Sequence, residues 1–147
     1  MNDGTKINAS DATKSTAVRR SHYDDVLAFN QKFHLPTPVA PQLLTDEMAS
    51  FRARFLEEEL AEFEEAMHND DMAGMADALV DLVYVAIGTA IMMGLPWQRL
   101  WDEVQRSNME KVRAERPDQS KRGTAFDVVK PPGWTAPRVK EIILGKL

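Results

Sequence analysis

The sequence contains no cysteine, which excludes disulfide scaffolds, thiolate zinc sites and cysteine nucleophiles. Positive charge is in deficit: 18 Lys and Arg against 23 Asp and Glu leave a net charge of -5. That argues against binding nucleic acid or an anionic membrane through a broad basic surface, and it leaves room for a cation cofactor. β signals are nearly absent, and no internal repeat is evident. The opening, MNDGTKINASDATKST, has neither an apolar h-region nor a basic n-region, so it does not read as a secretory signal. Cytoplasmic residence is the expectation. One long apolar run exists, from Ala78 to Met93, but it falls short of the roughly 20 residues of a membrane span. It also carries Asp77 and Asp81 at its beginning, so we expect no membrane association.

What is present suits one globular domain. The 147 residues are 44% hydrophobic, enough to bury a sizeable core. Residues 1–16 read as a flexible polar arm, and 17–147 as a single all-α domain. The first helix is expected from about Val18 to His34, closed by the three prolines of LPTPVAP. The second begins after Thr45, a suitable N-cap followed by Asp46 and Glu47, and runs to about His68. The third spans about Asp71 to Met93 with Gly94 as its C′ residue. A fourth has Pro96 in its first turn and reaches about Arg113. An irregular loop, ERPDQSKRGTAFDVVKPPGW, and a short helix near Pro137–Leu144 end the chain. A helix as apolar all round as the third must be covered all round, so the expected architecture is a four-helix-bundle type of fold, oligomeric, with a dimer favoured over a tetramer.

The second helix carries the densest chemistry, in FLEEELAEFEEA at residues 55–66. At about 100° per residue, with Phe55 at zero, Met48 and Phe51 define an apolar stripe near +20° and -40°. Glu62 (about -20°), Glu59 (about +40°) and Glu58 (about -60°) continue it. Leu56, Leu60, Phe63 and Met67 form an adjacent stripe, while Glu57 and Glu64 lie on the opposite, solvated side. On the third helix Asp77 and Asp81 share a face with Gly74, Tyr84 and Gly88. An uncompensated buried carboxylate costs several kcal/mol, so such groups meet a cation or become protonated. Trp97, Trp101 and Val104 are expected to form the inward stripe of the fourth helix, extended by Asn108 and Lys111. On the first helix Tyr23, Val26 and Leu27 lead to Asn30. Five carboxylates at Glu58, Glu59, Glu62, Asp77 and Asp81 are hard oxygen donors suited to Mg²⁺, with Mn²⁺ as a substitute. The bland alternative is an ion-pair network in which Lys111 and the arginines neutralise the acids.

Glu58-Glu59-x-x-Glu62 followed by Asp77-x-x-x-Asp81 resembles the signature of the all-α nucleoside triphosphate pyrophosphohydrolases, which include MazG-like proteins, dimeric dUTPases and phosphoribosyl-ATP pyrophosphohydrolases. FRARFLEEELAEFEEA, DALVDLVYVAIGTAIMMGLP and EVQRSNMEKV look like the corresponding family helices, and VVKPPGW resembles a tail of the phosphoribosyl-ATP-pyrophosphohydrolase-like branch. The likeness covers roughly residues 25–145. One departure is Ala78, where the family usually has the Glu of ExxD; Asp77 is the nearest substitute. The resemblance implies hydrolysis of the α–β phosphoanhydride of a nucleoside triphosphate, giving a monophosphate and pyrophosphate. It implies Mg²⁺ on the five carboxylates, with Glu58 or Glu59 accepting the proton of the attacking water. Asn108 and Lys111 would contact the phosphates, with Lys130, Lys121 and Arg122 closing over them. Asn30 and Trp134 are candidates for reading and stacking on the base, though Trp134 equally suits a plug beside Pro131 and Pro132.

Two other readings compete. A carboxylate-bridged di-iron bundle needs Glu-x-x-His on two helices, and only Glu65–His68 fits. A non-catalytic helical oligomerisation module would use the acids for a structural ion alone.

Overall fold

The computed structural model describes residues 20–147; the arm expected at 1–16 and the expected start of the first helix at Val18 lie outside the described residues. Four helices carry the fold in chain order: α1 (His22–Lys32), α2 (Asp46–His68), α3 (Met72–Met92) and α4 (Trp97–Met109). Each of the first three starts at a side-chain cap. Ser21 and Asp24 form a reciprocal capping box, Thr45 accepts from the Met48 amide at 3.3 Å, and Asp71 accepts from Ala73 and Gly74 at 3.0 and 3.1 Å. These bonds satisfy amides that the helix itself leaves free.

α2 and α3 are joined by Asn69–Asp71 alone, with Asp70 in the left-handed region (φ 53°). The connection folds α3 back along α2, and α1 packs across α3. Val26, Ile87 and Ile91 form the centre of the core, ringed by Tyr23, Leu27, Tyr84 and Trp97. By length and composition α3 could cross a membrane, yet here it is the central helix of the fold. Its cover is incomplete: Leu79, Val80 and Val83 are half or more exposed. Gly94 ends α3 at φ 63°, where a Cβ would stand 2.3 Å from the Ala40 carbonyl oxygen. Only glycine allows the 38–41 connector to lie against this turn.

The C-terminal third departs from expectation in two places. α4 stops at Met109, not near Arg113, because Val112–Arg113 (β1) pairs antiparallel with Val128–Val129 (β2). β-branched valines on both sides favour that small ladder over another helical turn. A 3₁₀ turn at Pro117–Gln119 lies within the loop, and α5 (Val139–Ile143) falls inside the segment expected as a helix.

The inward face of α4 also differs. Its buried residues are Glu103 and Ser107, whereas Trp101 is 57% exposed and Val104 and Asn108 are exposed. Glu103 accepts from Arg106 (2.9 Å) and from the backbone and guanidinium of Arg138 (3.0 and 3.1 Å), and Ser107 Oγ donates to the Thr135 carbonyl (3.0 Å). The polar face is thus covered by the chain's own tail. Apolar periodicity alone cannot foresee a face buried through ion pairs.

Candidate active site

The seam of α2 that meets α3 consists of Arg52, Glu59 and Ala66, the three buried residues of that helix. Seven residues apart, they fall near +60°, +40° and +20° on the angular scale used above. The centre therefore lies between the two apolar stripes, not on the first of them. This displaces Glu58 and Glu62: both were expected inward and both are exposed, as Glu57 and Glu64 are. Only Glu59 of the acid run, 7% exposed, is held inside.

Glu59 opens into a cleft of about 190 Å³ between α1, α2 and α3, which Asn30, Arg52, Asp81, Tyr84 and Gly88 also line. Arg52 had escaped the sequence reading, although its seven-residue spacing from Glu59 was the available signal. Its Nε donates to Thr89 Oγ1 at 3.0 Å and its Nη2 to the Val85 carbonyl at 2.8 Å, tying α2 to α3. None of the ion pairs among the described residues involves it.

Two buried polar atoms in this cleft lack any hydrogen-bond partner: Nδ2 of Asn30 and Oε2 of Glu59. Burial pushes the Glu59 carboxyl above its usual range, and the charges of Glu62, Asp81, Glu58 and Asp77, in that order, push it further. Asp81 lines the cleft itself. Asp77 is exposed on α3 beside Ala78, which is buried at 2%, so Asp77 does not occupy the place of the residue it was expected to replace. Among the described residues no three acidic or histidine side chains already converge into a metal cage. The donor set nevertheless fits a hard divalent ion: carboxylate oxygens only, one of them buried and unpartnered, in mutual repulsion that a cation would relieve.

The basic residues gather elsewhere. Lys111, Lys121, Arg122 and Lys130 line a cavity of about 500 Å³ beside β1 and β2. Its acid, Asp127, is already bonded by Ser120 (2.6 Å), Arg122 (2.9 Å) and the Val128 amide (2.8 Å), which hold its carboxyl below the usual range. Lys111 donates to Asn108 Oδ1 at 2.8 Å. This cavity and the acidic cleft have no lining residue in common. Lys111 is therefore not the cation that neutralises the acids within the chain, as the ion-pair alternative required. Trp134 donates its indole N–H to the Ser107 carbonyl (2.8 Å) and Lys130 sits 4.2 Å over its ring, an arrangement that pins the tail to α4.

No curated protein matches the chain significantly. The family model of phosphoribosyl-ATP pyrophosphohydrolase matches residues 26–108, from α1 through most of α4, and so includes Asn30, Arg52, all five acids and the cleft between them. Pyrophosphohydrolysis of a nucleotide-like substrate is the activity of that family. By this match over more than half its length, and by its helical fold, the chain belongs to the phosphoribosyl-ATP pyrophosphohydrolase family, within the MazG-like all-α nucleoside triphosphate pyrophosphohydrolases.

Proposed function

We propose that the protein hydrolyses a nucleoside triphosphate between its α- and β-phosphates, releasing a nucleoside monophosphate and pyrophosphate in the cytoplasm. The observation that carries this reading is Glu59: buried, with one oxygen unpartnered, amid four other carboxylates and lining the cleft between α1, α2 and α3. Glu58, Glu59, Glu62, Asp77 and Asp81 would hold Mg²⁺ or Mn²⁺, which when bound neutralises phosphate charge and acidifies a water. Water attacks the α-phosphorus, the bond to the bridging oxygen breaks, and pyrophosphate leaves. Glu59, kept basic by burial and by its neighbours, accepts the water's proton, with Glu58 as the alternative acceptor. Asn108, Lys111 and Lys130 hold the phosphate chain, Asn30 meets the base, and Trp134 serves by fixing the tail that carries Lys130.

Because the basic cavity and the acidic cleft are separate within one chain, the reading has a second copy bring them together in a homodimer, or in a tetramer built from dimers. The exposed Leu79, Val80 and Val83 of α3 offer the apolar surface such a dimer needs. The deciding experiment is hydrolysis in ¹⁸O-labelled water across a panel of ribo- and deoxyribonucleoside triphosphates. Label is expected in the monophosphate; label in orthophosphate, with a diphosphate as the other product, would overturn the reading.

A further inference from the structure

Arg52 is a cation that the fold buries without a counter-charge. It is 8% exposed on the seam of α2, and its bonds to α3 go to neutral acceptors, Thr89 Oγ1 and the Val85 carbonyl. Burial pulls its guanidinium below the ordinary value, with no acid acting against that. As a tie between two helices alone this is a costly choice, because a buried charge left unpaired destabilises the fold. A neutral amide also donates two bonds. Of the five N–H groups of a guanidinium, three are left over once α3 is served.

The acids of the same cleft are near Arg52 and yet not paired with it. Glu59 and Asp81 line the cleft together with Arg52. Glu59 lies seven residues along the seam, about 10 Å at the helical rise, and Asp81 lies one turn, about 6 Å, from Val85. The bonds to Val85 and Thr89 hold the guanidinium at its own end of the cleft, so one end is positive and the other negative. Gly88 leaves the cation its space, since a Cβ there would stand 3.3 Å from Arg52 Nη2. The same Cβ would be 4.0 Å from Asn30 Oδ1. Asn30, with its nitrogen unpartnered, thus offers an acceptor as well as a donor and keeps the role given it above.

We infer that Arg52 is a further catalytic residue, whose unused N–H groups hold a non-bridging oxygen of the α-phosphate across from the carboxylates. The inference rests on the reading of the protein as a nucleotide hydrolase and adds a group to that site. A phosphate is the part of the substrate that suits both ends of the cleft. One oxygen accepts from the guanidinium, and others face the hard cation that the acids are suited to hold. Glu59 and Asp81 by themselves repel a phosphate, and Arg52 supplies the opposing attraction. As the water oxygen bonds to the α-phosphorus, its proton passes to Glu59 and the bond to the bridging oxygen breaks. Charge shifts among the phosphate oxygens during that step, and a fixed cation in a site poor in water stabilises it. After the break the Arg52 contact stays with the monophosphate, while the contacts of Lys111 and Lys130 stay with pyrophosphate.

That division between the two products is the test. Titration calorimetry of the full chain with Mg²⁺ would use adenosine, guanosine, cytidine and uridine 5′-monophosphates and, separately, pyrophosphate. In Arg52→Met the monophosphate that wild type binds most tightly should weaken at least about tenfold, with pyrophosphate unchanged, and kcat should fall by about 10²–10³. That change also loosens α2 from α3, so two further variants separate the roles. Thr89→Val cuts one tie and keeps the cation, and should change monophosphate affinity little. Gly88→Ala favours the helix but crowds Nη2, and should weaken the monophosphate and not pyrophosphate. Unchanged monophosphate affinity in Arg52→Met, equal loss of both products, or no monophosphate binding by wild type would overturn the inference. So would a loss in Thr89→Val as large as that in Gly88→Ala, a comparison that decides the matter even if Arg52→Met does not fold. The two readings fail separately. Absence of pyrophosphate release from every triphosphate sinks hydrolysis, whereas undiminished turnover by folded Arg52→Met sinks only the role of Arg52.

Discussion

Glu59 sits in its cleft with an oxygen that no protein group reaches, and its carboxyl is pushed up first by burial and then by four neighbouring acids. A raised carboxyl pKa means that the folded chain prefers the neutral form more than the unfolded chain does. Its contribution to stability is whole below the ordinary value of 4.5 and is lost as pH rises through the raised one. Glu59→Gln, neutral at every pH, should therefore melt with wild type in acid and above it at pH 7 in chelator. Calorimetric scans from pH 4 to 8 would show it; a constant offset would mean that Glu59 is not strained. The same substitution should abolish hydrolysis, since the strained group is the one given the proton. A second contrast separates neighbours that exposure does not. Glu62 heads the charges acting on Glu59, while Glu57 is not among them. Glu62→Gln should abolish Mg²⁺ binding by calorimetry as well as turnover, and Glu57→Gln should leave both nearly intact. Equal losses would show that the whole acid run, not one face, attracts the ion.

The tail is an element held by one carboxylate. Glu103 of α4 takes bonds from Arg106 and Arg138, which keep its carboxyl far below the usual range. A depressed carboxyl contributes stability that is present above its unfolded value and lost as pH falls toward the folded one. Hydrogen exchange of residues 128–147 should thus accelerate below about pH 4.5, and Glu103→Gln should produce the same loosening at pH 7 with α2 and α3 unaffected. Protection unchanged in that variant would mean that the Ser107–Thr135 and Trp134–Ser107 bonds hold the tail without it. None of this was legible in the sequence, because the partners lie 35 residues apart and an ion pair leaves no periodic signature. What was legible is local. The cap at Thr45, the turn at Gly94 and the apolar length of α3 announce their helices wherever the chain goes next. The five acids could also be picked out from their pattern. Their facing could not be read to the needed accuracy: the two apolar stripes of α2 flank its seam, so taking one stripe as the centre put Glu58 and Glu62 inside and passed over Arg52.

At the scale of the whole molecule the unresolved tension is between an acidic cleft and a basic cavity that do not meet in one chain, and an apolar helix that one chain does not cover. We propose a homodimer through α3, which covers the exposed side of that helix. Light scattering at micromolar concentration should give twice the chain mass, and Val83→Glu, which places a charge on the half-exposed face, should halve it. Whether the partner also completes the site is a separate matter, tested by mixing two inactive variants. Glu59→Gln removes the proton acceptor; Lys111→Met removes a phosphate contact, a loss commonly worth about 10²–10³ in rate. If each site joins the cleft of one copy to the basic cavity of the other, random exchange makes half the dimers mixed, and each mixed dimer holds one intact site and one doubly damaged. Recovery of about a quarter of the wild-type rate is then expected after unfolding and refolding the two together. If both halves of a site belonged to one chain, every site in the mixture would carry one lesion or the other. The rate would stay at the average of the two variants, and the basic cavity would have to reach the cleft by movement of its own tail.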